Sequence, residues 1–380
     1  MKIVFISNYY NHHQAAVCEA LYRETGGGFV FLATEKMGEH RVKMGWQSLA
    51  LPPFVIEAQG DRIAEHRELI NTAEVVILGH AHPSLVVERV RAGRLTFRFA
   101  ERVYRKRREY LKLPLHLYKN KKYLLNSENY RLLAASAYAP ADYALARAFD
   151  GRALKWGYFP PLRRYEDIDG LIAGKERGSI LWVGRMMGLK HPEAAIEVAR
   201  RLKGEGREFH LRMIGVGKMQ GKIEKMIAKY GLADSVELLG AMSPDEVRGY
   251  MERSEIFLFT SDRNEGWGAV LNEAMNSACA VVASHAIGAV PFLMNGTNGC
   301  VYPSGNTRRL FGAVVFLLDN PERRHAVARA AYATILHGWC ADVAASRLVE
   351  HCSRLLAGKE PIPYRDGVLT PARKIRDNWL

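Results

Sequence analysis

The chain has 380 residues, 48% of them hydrophobic and 25% charged, and a formal net charge of +14. That length suits about two domains rather than one core, the composition excludes a disordered chain, and no apolar run reaches the roughly 18 residues that span a bilayer. A surplus of cations this large implies an acidic partner: nucleic acid, anionic lipid or a phosphate-bearing small molecule.

In chain order, residues 3–7 read as an apolar strand, without the longer apolar core and cleavage site of a signal peptide, which points to the cytoplasm. Asn11-His12-His13-Gln14 forms a turn before a helix over 14–23, and strands follow at 29–34 and 75–79. The latter ends at His80-Ala81-His82-Pro83. Between Arg98 and Lys122 ten cations stand against Glu101 and Glu109, while Phe99, Val103 and Tyr110 recur at near-helical spacing, so the stretch reads as a basic amphipathic helix. Such a face is either merely solvated or docks on an anionic membrane. Nucleic acid is not expected as a partner, because no aromatic-basic motif or zinc finger accompanies it.

Periodicity fades between Gly157 and Gly178, which marks a domain seam. A second cycle has strands at 180–184, 211–215, 236–239, 256–260, 280–283 and 299–302, with helices at 191–203, 222–230 and 244–253. Strand-helix alternation of this kind builds parallel sheets covered on both faces. The expected domains are 1–165 and 178–355, with a tail over 356–380 that packs back on the first domain. The scattered cysteines (Cys18, Cys279, Cys300, Cys340, Cys352) show no C-x-x-C and read as reduced thiols. No metal site is expected; Asp167-Ile168-Asp169 spells D-x-D but follows no clear strand.

Ligands of open parallel sheets bind beyond the carboxyl ends of the strands. Two strand-to-helix junctions carry chemistry there. Arg185 and Lys190 follow the strand at 180–184, and Glu265-Gly266-Trp267-Gly268-Ala269-Val270 follows the strand at 256–260, with Glu273 inside the next helix. A helix start offers free N–H groups and a positive dipole end, glycines admit an anion to the backbone, and Arg185 and Lys190 add charge-assisted contacts. The two acids cannot favour a phosphate, so they suit hydroxyls on either side of it. A diphosphate flanked by a ribose and a second sugar is a nucleotide-sugar. Singly, each feature also fits an ordinary surface pair, turn or exposed helical acid.

Glu265 to Glu273 resembles the E-x7-E motif of retaining glycosyltransferases with the GT-B fold, and "LWVGRMMGLKHPEAAIEVARRLK", "LRMIGVG", "VELLGAMSPDEVRGYMERSEIFLFTS", "EGWGAVLNEAMNSACAVVAS" and "NGTNGCVYPSGN" follow in the order and spacing of glycosyltransferase family 4, as found in bacterial capsule, exopolysaccharide and lipopolysaccharide synthesis. The resemblance covers residues 178–320. It implies an α/β fold of two Rossmann-like domains facing across a cleft. It assigns Arg185 and Lys190 to the donor diphosphate, Glu265 to donor-sugar hydroxyls, Glu273 to the ribose, and the amides of Trp267 to Val270 to the phosphates. It also implies retention of configuration without a metal or other cofactor, the nucleoside-diphosphate sugar being a co-substrate. The chain departs from the family where Gly-Gly-x-Pro-Glu is common: here Ile287-Gly288-Ala289-Val290-Pro291-Phe292 lacks the acid.

The first domain is expected to bind a saccharide acceptor, and the basic stretch suggests a lipid-linked one, with the protein cytoplasmic and peripheral on the inner face of the cell membrane. His80 is the first choice at the reaction centre, and His82, His12 and His13 are candidates on the acceptor side; structural roles stand beside these. Two alternatives share the architecture: a nucleotide-sugar epimerase and a non-catalytic binding subunit.

Overall fold

Apolar runs become parallel strands in both halves of the chain. The computed structural model describes residues 1–36 and 50–380. One unit comprises Met1–Pro161 with Gly338–Arg376, the other Leu162–His337 with Asp377–Leu380. The first contains β1 (Ile3–Ser7), β2 (Phe29–Ala33), β3 (Val55–Glu57), β4 (Val75–Leu78), β5 (Thr96–Ala100), β6 (Tyr130–Ala134) and β7 (Ala153–Lys155), in the order β3-β2-β1-β4-β5-β6-β7. The second contains β8 (Glu176–Val183), β9 (His210–Ile214), β10 (Val236–Gly240), β11 (Ser254–Phe259), β12 (Ala280–Ser284) and β13 (Cys300–Tyr302), in the order β10-β9-β8-β11-β12-β13. Every paired strand among these runs parallel. The central strands β1, β4, β11 and β12 are buried at every position, as helices on both faces require. Both sheets are therefore doubly wound, and each reverses direction once: between β1 and β4, and between β8 and β11.

The basic stretch is not one helix. Arg98 and Phe99 lie in β5, a loop follows, then a 3-10 turn over Arg107–Lys112 and a helix over Leu113–Lys122 with Pro114 in its first turn. Arg98 is held inward, its Nη1 donating to Gly79 O and Ala81 O at 2.7 and 3.2 Å. Phe99 is buried against Phe5 and Tyr158. The apolar side chains that do reach the surface are Tyr110, Leu111, Leu115, Leu117 and Tyr118, Leu111 with 83% of its surface exposed. The expected second domain to residue 355 also loses its last helix. Ala341–Leu356 belongs to the first unit, where Leu348, His351 and Cys352 are buried and Asp342 pairs with Arg23 at 2.7 Å. Beyond it the chain lies antiparallel on β7: Leu369 and Ala372 N–H donate to Lys155 and Ala153 O, and Lys155 N–H donates to Thr370 O, each at 2.8 Å.

One buried amine fixes the helices that carry the second unit's acids. Lys175 Nζ donates to Met251 O, Glu252 O and Ser277 O at 2.9–3.0 Å. It thus closes the carboxyl ends of the helices Pro244–Arg253 and Val270–Asn276, where a cation is favourable. Burial lowers its pKa. Replacing Lys175 with Met keeps the stem but strands three carbonyls. The substitution should cost about 3 kcal/mol or more, since each hydrogen bond to a charged group contributes roughly 1.5–3 kcal/mol. Denaturant unfolding of the variant measures it.

Candidate active site

Neighbouring strands bring the two sequence-derived junctions together. β8 and β11 pair directly, Ile180 opposite Ile256 and Trp182 opposite Leu258, and their carboxyl-end loops meet at the point where the strand order reverses. The loop after β8 is braced from β9: Gly184 N–H donates to Ile214 O, and Met186 N–H to Val216 O at 2.9 Å. Gly215 has φ +125°, and a Cβ there would lie 2.0 Å from Gly184 O. Backbone thus packs on backbone next to Arg185, which is exposed.

Lys190 and Glu265 form an ion pair, Nζ to Oε2 2.5 Å, with both side chains about 15% exposed (15% and 14%). The sequence reading sends the lysine to a phosphate and the acid to hydroxyls. In the structure each neutralises the other. Lys190 Nζ also sits 5.7 Å from the centre of the Phe259 ring. Gly268 turns the chain between the acids with φ +90°, and a Cβ would strike that ring at 2.5 Å.

The helix Val270–Asn276 starts at Ala269 with no side-chain cap. Trp267 is no sugar platform: it is 1% exposed, its Nε1–H donates to Asn272 Oδ1 at 2.9 Å, and its carbonyl accepts from Ala289 N–H. The segment 287–292, where the family's acid is missing, therefore still supports the Gly266–Gly268 turn. Glu273 is partly buried, and its carboxylate makes no hydrogen bond or ion pair with a described residue. Desolvation raises its pKa, opposed by the charges of Arg248 and Arg163. A partly buried acceptor with no donor among the described residues is suited to hydroxyl donors.

In the first unit the candidate histidines also stand at the reversal point. Asn11 Oδ1 accepts from His13 N–H at 3.0 Å and caps the helix His12–Glu24. The rings of His12 and His13 are 3.9 Å apart, and His13 lies 5.8 Å from Tyr158. Burial lowers the pKa of His12. His80 is exposed, its N–H donating to Ser7 Oγ at 3.2 Å. His82 has local work instead: its Nδ1 lies 2.7 Å from Ser84 Oγ and it caps the turn Pro83–Val86.

Sequence reasoning missed Glu101, which ends β5, pairs with Arg105 and hydrogen-bonds Tyr158. It also missed His191 and Asp262, which join the two loops of the second unit. The D-x-D residues are occupied structurally: Asp167 caps the helix Ile168–Ala173, and Asp169 pairs with Arg329 at 2.5 Å.

Comparison with known proteins matches residues 165–334 to the family model for glycosyl transferases group 1. Over 153 residues the chain is 33% identical to the alpha-D-kanosaminyltransferase of Streptomyces kanamyceticus, covering 40% of this chain and 39% of that one. Over 181 residues it is 29% identical to the amylovoran biosynthesis glycosyltransferase AmsK of Erwinia amylovora, covering 46% and 44%. The chain thus spans about two fifths of the length of these curated relatives. Among solved structures, HepE of Anabaena, crystallised with UDP, has a TM-score of 0.69 at 14% identity over 94% of this chain and 100% of that one. At that identity the likeness carries the fold alone.

A carboxylate whose pKa is raised by partial burial costs stability while it is ionised. Glu273→Gln should therefore raise the melting temperature of the ligand-free protein by about 2 °C or more, given that 1 kcal/mol moves a domain of this size by roughly 2–4 °C. Differential scanning calorimetry checks it, and a lower melting temperature would mean the carboxylate has a stabilising partner.

Proposed function

We propose that this chain, which carries a group 1 glycosyl transferase domain over residues 165–334, is a retaining, metal-independent glycosyltransferase. It moves a hexose-type sugar from a nucleoside-diphosphate sugar to a saccharide acceptor on a lipid, in the synthesis of a cell-surface polysaccharide. The observation that carries this reading is the pairing of Lys190 with Glu265 where the strand order reverses, beside exposed Arg185 and unsatisfied Glu273.

In this reading Arg185 and Lys190 bind the donor diphosphate, together with the amides from Trp267 to Val270. Glu273 accepts from the ribose hydroxyls, and Glu265 from the donor sugar. When the donor enters, phosphate oxygens and sugar hydroxyls replace the partners that Lys190 and Glu265 now give each other. The bond from the anomeric carbon to the terminal phosphate oxygen breaks with its electrons left on oxygen. Charge growing there is met by Arg185, Lys190 and the backbone N–H groups, a preorganised arrangement that is worth most in the transition state. The acceptor oxygen bonds to the same face of the anomeric carbon, and its proton passes to the departing phosphate. Two protein cations supply the charge that a metal would otherwise bring. The first unit binds the acceptor, with His80, His12 and His13 on that side and His82 left to its cap.

The helix Leu113–Lys122 and the turn before it offer Leu111, Leu115 and Tyr118 beside Lys112, Lys119, Lys121 and Lys122. This combination suits the anionic inner face of a membrane, each cation contributing roughly 1 kcal/mol at such a surface with apolar insertion added. Among the described residues no helix is long and apolar enough to cross a membrane.

UDP-glucose, which the Anabaena neighbour binds, is the first donor to assay, followed by a panel of nucleotide-sugars. Arg185→Ala or Lys190→Ala should each cost about 2–4 kcal/mol in kcat/KM with the donor used, the scale of one lost oxyanion donor, and EDTA should leave the wild-type rate unchanged. Wild-type kcat/KM in Lys190→Ala would remove the assignment. Separately, sedimentation with phosphatidylglycerol vesicles should rise with anionic lipid and fall with salt. It should drop when Lys119, Lys121 and Lys122 become Glu, while donor hydrolysis persists; no binding by the wild type at low salt would sink the membrane claim alone.

A further inference from the structure

His191 is the one non-glycine residue with positive φ in the loops that carry the candidate site, at φ 47° and ψ 54°. It stands directly before Pro192, which ordinarily pushes its predecessor into extended backbone. A side chain held in a sparsely populated conformation implies surroundings that fix it, and such residues gather at functional sites.

The surroundings are two carboxylates. Imidazole Nδ1 lies 3.1 Å from Glu193 Oε1, and Nε2 lies 3.3 Å from Asp262 Oδ2. Ionised carboxylates only accept hydrogen bonds, so both ring nitrogens must donate and the ring is an imidazolium. The bonds to Asp262 and then Glu193 raise its pKa to about 9, and they lower both acids. The other charges nearby are Lys190, next in the chain, with its partner Glu265, and Lys222, which acts on Glu193 from the helix Gln220–Lys229.

Asp262 is the hub of the turn that ends at Glu265. Its Oδ1 accepts from Asn264 N–H and Nδ2 at 2.8 and 2.9 Å, and its carbonyl accepts from Glu265 N–H at 3.0 Å. Its own N–H crosses to Leu189 O at 2.9 Å. Thr260 Oγ1 donates to Lys190 O at 2.6 Å while accepting from Trp182 Nε1. Beside the Lys190–Glu265 pair, His191 adds a second side-chain link between this turn and the helix entry after Lys190.

We propose that His191 is a positioning residue: by bridging Glu193 and Asp262 it staples the Asp262–Glu265 turn to the Lys190 loop, and so holds Lys190 and Glu265 in the geometry the donor meets. This rests on the proposed function for its catalytic consequence, though not for the staple itself. The folded-state pKa lies above the ordinary value of about 6.5. The staple is therefore complete below that value and is lost as pH rises through about 9.

His191→Gly is the informative variant, because glycine accepts positive φ without cost. Relief of the left-handed backbone offsets only part of the lost ion pairs, so its melting temperature at pH 7 should fall by a few degrees. Hydrogen exchange of the amides over 262–268 should speed at least tenfold at pH 7 in the ligand-free variant. In the wild type the same amides should lose protection, after correction for intrinsic exchange, between pH 8 and 10, and in the variant they should not. With UDP-glucose or whichever donor of the panel is turned over, kcat should fall tenfold or more with KM little changed. Unchanged protection over 262–268 overturns the staple whether or not a donor is found. Protection lost evenly across the second unit, rather than over 262–268, overturns it too, as it would show a merely structural residue. Lys190→Ala in the same series separates the two readings. An inactive Lys190→Ala beside a fully active His191→Gly defeats only the positioning role, whereas a fully active Lys190→Ala defeats the glycosyltransferase assignment.

Discussion

The pairing of β8 with β11 is the constraint on which the second unit's chemistry depends. Parallel neighbours put their carboxyl ends on the same edge, and the reversal of strand order leaves no crossover helix above that point. Two loops can therefore meet there. Residues far apart in sequence become partners at 2.5 Å, as Lys190 and Glu265 do. Remove the adjacency and neither the pair nor the Leu189–Asp262 backbone link has a route to form.

Rigid loops need support from below, and it is made mostly of backbone. Gly215 lets β9's loop touch Gly184 directly, Thr260 receives Trp182 and gives to Lys190 O, and Lys175 ties two helix ends together from beneath the sheet. These contacts are short, buried and insensitive to salt. By contrast, the groups at the surface of the site are left in unfavourable states: Glu273 lacks a partner and His191 holds a left-handed backbone. Stability comes from the frame, and the site spends some of it.

The same logic explains what the sequence could disclose. β12, most of β11 and the carboxyl half of β8 are apolar runs, so their position was legible to within a few residues, as were β9 and the helix Pro244–Arg253. β5 was not, because Thr-Phe-Arg-Phe-Ala carries an arginine whose partners, Gly79 O and Ala81 O, lie in another loop. Its charge looked like part of a basic helix, and burial of Phe99 cannot be seen from spacing. The helix Ala341–Leu356 read as a continuation of the second domain because local periodicity does not say which core a face will meet. Arg185, Lys190, Glu265 and Glu273 were legible as residue types at strand-to-helix junctions. Their mutual geometry was not, since ion pairs between junctions depend on strand order. His191 gave no signal beyond standing between a lysine and a proline.

Charge balance gives the ligand-free site its character. Lys190 and Glu265 cancel, whereas the imidazolium of His191 stands between two carboxylates, Glu193 and Asp262, with Lys222 acting on Glu193 from the next helix. Arg185, exposed on the loop before them, is the second cation that the proposed function assigns to the donor diphosphate. In the proposed function phosphate displaces Glu265 from Lys190, and the carboxylate so freed needs new donors to offset its desolvation. Sugar hydroxyls are such donors. Under that proposal an anion alone would leave Glu265 unsatisfied, while a phosphate joined to a polyol would satisfy both sides, which is the physical reason for proposing a sugar nucleotide rather than free phosphate at these loops.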